Sequence, residues 1–129
     1  MSSWVLDASA LMALLYAEPG LDRVVAAVGA GAAVSTVNLS EVIAKLADRG
    51  APEREIRDTI ETIGLDITEF DADDALAAGL LRPATRAAGL SLGDRACLAL
   101  AQLSGAPVLT ADRAWAAIEL DGVEVQFIR

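Results

Sequence analysis

Five short apolar runs, separated by stretches with helical periodicity, constrain this chain more than any other feature. "WVLD" (4–7) suits a buried strand and passes at once into the helical "SALMALLYAE", which Pro19-Gly20 ends. Residues 21–30 read as a second helix and "AAVST" (32–36) as a second strand. "NLSEVIAKLADRG" carries Leu39, Val42, Ile43, Leu46 and Ala47 at helical spacing and closes on Gly50. A further helix is expected from about Pro52, a residue suited to a first helical position. "LDITEF" (65–70) is a third strand, followed from Asp71 by a long alanine-rich helix that Pro83 should kink or interrupt. "APVLT" (106–110) and "VEVQFI" (123–128) supply the fourth and fifth strands. Strands alternating with helices predict an α/β fold: a mostly parallel five-stranded sheet with helices on both faces. The 129 residues suffice for one compact domain with a real core, so 1–129 is read as a single domain.

The helix ahead of the fourth strand, "LSLGDRACLALAQL" (90–103), is apolar in every direction from Ala96 to Ala101, which marks a helix buried on most sides. Asp94 stands at its start. A carboxylate there is costly unless compensated, and Ser91 three residues earlier fits a capping box. Cys97, the one cysteine, lies within the same helix and reads as a small core residue of a reducing compartment. Histidine is absent, which excludes imidazole acid-base chemistry, histidine-cysteine zinc sites and serine-histidine triads. The net charge of −9 argues against a nonspecific nucleic-acid groove. The N-terminal segment has Asp7 in its middle and an apolar run too short for a bilayer, so a cytoplasmic protein without membrane contact is expected.

In a parallel sheet the ligand crevice lies beyond the carboxyl ends of the strands, and four acids fall on that edge. Asp7 ends the first strand, Glu41 opens the helix after the second, Asp94 opens the helix leading into the fourth, and Asp112 follows the fourth. Each has an ordinary explanation. Asp7 suits an N-cap, Asp112 a short turn with Thr110, and Asn38 with Glu41 has capping-box spacing. Lys45 lies four residues after Glu41 in the favourable ion-pair order. Jointly the four are harder to attribute to capping. Two carboxylates about 5 Å apart at an effective dielectric near 20 repel by roughly 3 kcal/mol, so such a cluster calls for a cation or shifted pKa values. With oxygen ligands alone the natural ions are Mg²⁺ or Mn²⁺, which activate water and neutralise a scissile phosphate.

The chain resembles PIN-domain ribonucleases of the VapC toxin type. "VLDASALMALL", "STVNLSEV", "GLSLGDRACLALA" and "PVLTADRAW" carry the likeness, in an order that spans nearly the whole sequence. The resemblance implies a PIN fold and metal-dependent cleavage of RNA phosphodiesters. It places Asp7, Glu41, Asp94 and Asp112 on the acidic active-site positions, and Ser9 and Thr110 where polar side chains support the metal or its waters. Asn38 either assists in the same way or caps a helix. Trp115 of "DRAW" reads as packing, and Arg113 is left open between a surface and a salt-bridge residue.

The resemblance further implies a homodimer and a cognate antitoxin whose tail covers the acidic pocket. A groove along the second to fourth helices, with Leu39, Val42, Ile43 and Leu46, is one seat for that tail; core packing is the competing reading of the same stripe. Arg82 and Arg86 suit either RNA guidance or a solvated face. Two rivals stand beside this reading. A receiver-like phosphoacceptor domain would need paired acids after the first strand and a lysine after the last, whereas Lys45 is the only lysine. A non-catalytic PIN-fold binding module would keep the fold without the chemistry.

Overall fold

The computed structural model describes residues 2–129. Its elements follow the chain as β1 (Trp4–Leu6), α1 (Ala8–Leu15), α2 (Leu21–Ala30), β2 (Ala32–Ser35), α3 (Thr36–Asp48), α4 (Glu53–Ile63), β3 (Asp66–Thr68), α5 (Ala72–Leu80), α6 (Arg82–Thr85), α7 (Leu92–Ser104), β4 (Val108–Thr110), a 3₁₀ turn (Arg113–Ala117) and β5 (Val125–Phe127). The strands form one sheet in the order β3-β2-β1-β4-β5, and every pairing is parallel. Each of the five expected strands is present but shorter than its apolar run. β1 ends at Leu6, and Asp7 caps α1.

Strand alternation divides the core in two. Leu6, Val34 and Leu109 face one cluster with α1, α2, α3 and α4, and Val5, Ala33 and Val108 face the other with α5 and α7. α7 is buried continuously from Ala96 to Ala101, as its unbroken apolar run predicts. Pro83 does interrupt the alanine-rich helix: α5 ends at Leu80 and Pro83 sits in the first turn of the separate α6.

The 3₁₀ turn after β4 carries Trp115, 1% exposed, into the core, which agrees with its reading as packing. Arg113 lies with its guanidinium 4.6 Å from the Phe127 ring centroid and donates to the Arg129 carbonyl; among the described residues it forms no ion pair. Arg82 and Arg86 are exposed. Among the described residues no helix is long and apolar enough to cross a membrane.

The order 3-2-1-4-5 places β1 at the centre, where the chain turns from one side of the sheet to the other. α7 runs back toward the amino end of β4, so its own first turn lies at the carboxyl edge of the strands, beside the starts of α1 and α3. That edge gathers the polar residues.

Candidate functional site

Asp7 is the best-fixed member. It is 3% exposed and caps α1, its Oδ1 accepting from the Ala10 amide at 2.8 Å. The Thr110 hydroxyl donates to Oδ2 at 2.5 Å, and the Ser9 hydroxyl lies 2.7 Å from Oδ1 and 2.9 Å from Oδ2. The same hydroxyls hold the next turn: the Ala111 amide donates to Ser9 Oγ and the Asp112 amide to Thr110 Oγ1. One web therefore ties the end of β1, the start of α1 and the end of β4. Burial pushes the Asp7 carboxyl up to about 6 from the ordinary 3.8, opposed by the hydrogen bonds from Thr110, Ala10 and Ser9. The charge of Asp94 adds the smallest push. Desolvation, more than the mutual repulsion expected from four clustered acids, is what strains this carboxylate.

Asp94 occupies the third position of α7 in a reciprocal capping box. The Ser91 amide donates to its Oδ2 at 2.9 Å, and the Asp94 amide donates to Ser91 Oγ at 3.2 Å. Asp112 caps the 3₁₀ turn, accepting from the Ala114 amide at 3.0 Å. Asp7 and Asp112 are thus N-caps and Asp94 the returning member of a capping box, and each role uses only part of the carboxylate's accepting capacity.

Glu41 and Asn38 depart from the sequence reading. The cap of α3 is Ser35, whose hydroxyl accepts from the Val37 amide, so Asn38 lies within the helix and is not a cap. Its amide nitrogen donates at 2.9 Å both to Glu41 Oε1 and to the Gly93 carbonyl of α7. Glu41 therefore turns to Asn38, and among the described residues no ion pair joins it to Lys45. Its carboxylate lies against Gly93: a Cβ added there would come within 2.6 Å of Glu41 Cδ. Sequence reasoning missed Gly93. The signal was a glycine in the first turn of a helix with no turn or cap to require it.

The Asn38 bonds bring Glu41 to the first turn of α7, where Asp94 stands. Burial raises the Cys97 thiol well above its ordinary range, and the charges of Asp7, Asp94 and Glu41 raise it further. The Asp112 backbone amide donates to Thr110 Oγ1, whose hydroxyl is bonded to Asp7, while the Asp112 carboxylate accepts from the Ala114 amide. Among the described residues no three His, Cys, Asp or Glu side chains yet lie close enough to hold one ion together. The donors nonetheless fit a hard cation. Asp7 is buried without a cationic partner among the described residues, the donor atoms are all oxygen, and Asn38 Oδ1 is buried with no hydrogen-bond partner. Ser9 has one proton for two Asp7 oxygens, so an ion can displace it from one and leave the other bonded.

The groove expected along the second to fourth helices lies instead between α3, α4 and β3. It encloses about 770 Å³, with Ile43, Ile56, Ile60 and Ile67 on its walls. Val42 and Leu46 of the expected stripe belong to the core, and Leu39 packs against it.

A parallel five-stranded sheet of this order, flanked by helices whose starts carry Asp7 and Asp94, defines an α/β domain. The family model for the PIN domain matches residues 4–120, and the chain belongs to that family. Its sheet also differs from the 2-1-3-4-5 order of receiver-type folds, which removes the phosphoacceptor reading. No curated protein sequence matches the chain. Similar solved structures include the DNA-bound VapBC from Salmonella typhimurium, at TM-score 0.77 and 19% identity with both chains fully covered. A toxin-antitoxin complex from Klebsiella pneumoniae aligns at TM-score 0.73 and 22% identity over 94% of this chain and 95% of the other. VapBC-5 from Mycobacterium tuberculosis aligns at TM-score 0.63 and 25% identity, covering 95% and 97%.

Proposed function

We propose that this protein is the toxin of a VapBC-type toxin-antitoxin pair, a cytoplasmic endoribonuclease that hydrolyses RNA phosphodiester bonds with the help of Mg²⁺ or Mn²⁺. The observation that carries this reading is the buried Asp7 carboxylate at the carboxyl edge of a PIN sheet, paired with no cationic side chain among the described residues and with its pKa raised by desolvation and by the charge of Asp94. Asp7 and Asp94 would hold the ion, with Glu41 and Asp112 completing the oxygen donors. Bound there, the ion supplies an activated water and neutralises charge on the phosphate. Ser9 and Thr110 orient Asp7 and share its hydrogen bonds, and the Asp112 amide fixes the Thr110 hydroxyl.

The relatives of similar fold are toxin-antitoxin complexes, and the charge of −9 suits a basic antitoxin tail. The apolar groove beside α4, rimmed by Glu53 and Glu61, is the surface for the tail's apolar residues. Leu76 and Leu80, one turn apart on α5 and 64% and 71% exposed, provide the face for a homodimer. Residues 1–129 act in this reading as one PIN unit.

The test is expression with and without the candidate antitoxin encoded beside the protein, with sequencing of RNA 5′ ends. Growth arrest and new, discrete 5′ ends only when the antitoxin is missing support the reading. Unchanged RNA together with normal growth in both states favours a non-catalytic binding module.

A further inference from the structure

We propose that Asn38 and Gly93 form a positioning device that sets the carboxylate of Glu41 against the first turn of α7; the inference rests on the metal-dependent reading above and deepens it. Asn38 is 1% exposed, so its amide is shielded from bulk solvent. Both groups its nitrogen meets, Glu41 Oε1 and the Gly93 carbonyl, only accept hydrogen bonds. The amide orientation is therefore dictated: the reverse orientation would set Oδ1 against two acceptors. The consequence is a buried Oδ1 with no donor, an arrangement that costs stability unless a water or an ion-bound water fills it. The fold accepts that orphan in order to place Nδ2, which joins α3 to α7 at the point where two of the four acids stand.

Gly93 is the other half of the device. Its carbonyl accepts from Asn38, and the room its missing side chain leaves is filled by the Glu41 carboxylate. The contact is with the flexible end of Glu41, so an added methyl would displace that carboxylate without disrupting the helix. Neither residue need touch substrate or ion. Both act through Glu41, much as partners behind a metal ligand ordinarily do.

The test is Mn²⁺ titration of the purified chain, followed by the electron paramagnetic resonance of the free ion, with thermal unfolding of the same samples. Gly93→Ala should fold with an undiminished melting temperature and bind Mn²⁺ about tenfold more weakly or worse. Asn38→Ala should show a loss of similar size; where it does not fold, Gly93→Ala decides alone. In a Glu41→Ala background Gly93→Ala should cause no further loss, because the carboxylate it displaces is gone. Wild-type Mn²⁺ affinity in Gly93→Ala, with Glu41→Gln clearly weakened, would overturn the positioning device while leaving the metal site standing. A wild-type protein that takes up no Mn²⁺ would overturn the metal reading and this inference together.

Discussion

Asp7 carries the largest local strain. Its folded carboxyl titrates near 6 against an ordinary 3.8, so the fold retains a proton that the unfolded chain has already released. The stability from that proton is full below about pH 4 and is lost as pH rises through 6. Asp7→Asn removes the titration. The metal-free variant should therefore exceed wild type in stability at pH 7.5 by up to roughly 3 kcal/mol, with the difference vanishing near pH 4; urea unfolding at both pH values measures it. The same proton competes with the ion, so Mn²⁺ affinity should fall as pH drops below 6 in wild type. Asp94→Asn separates capping from ion binding. Asparagine still offers an oxygen to the Ser91 amide, so stability should change by about 1 kcal/mol or less, while Mn²⁺ affinity and cleavage fall by orders of magnitude.

At the scale of elements, Ser91→Ala removes the hydroxyl that caps α7 but leaves the Ser91 amide bonded to Asp94. It should cost about 1 kcal/mol in chemical unfolding and leave Mn²⁺ affinity nearly unchanged. Most elements were legible in the sequence because their signals are local: the stripe of α3, the unbroken apolar run of α7, and the prolines and glycines that end helices. Strand ends were less legible, since whether Asp7 extends β1 or caps α1 depends on the Ala10 amide and the Thr110 hydroxyl, which only the assembled sheet supplies. The same limit hid the Asn38 bond to Gly93, made across 55 positions. Capping-box spacing paired Asn38 correctly with Glu41 but gave it the wrong role, because Ser35, three residues earlier, caps the helix. Gly93 was missed for a related reason: what it makes room for is on another helix.

For the whole molecule, the net charge of −9 opposes contact with a polyanion, so the proposed cleavage of RNA calls for a cation and the proposed antitoxin for a basic segment. Antitoxin binding should draw on both the groove and the carboxylates. Ile60→Glu in the groove should weaken capture of the candidate antitoxin in a pull-down while leaving cleavage intact, and raised salt should weaken binding further by screening the acidic edge. Equal capture by wild type and Ile60→Glu would move the interface off α4. In the proposed function these carboxylates serve an ion that acts on RNA. The most direct measurement is cleavage of RNA by purified wild-type and Asp7→Asn protein in EDTA and after adding Mg²⁺ or Mn²⁺. Cleavage by wild type only with the divalent ion, and its loss by orders of magnitude in Asp7→Asn under the same conditions, is the predicted result; full cleavage in EDTA, or equal cleavage by the two proteins, would contradict it.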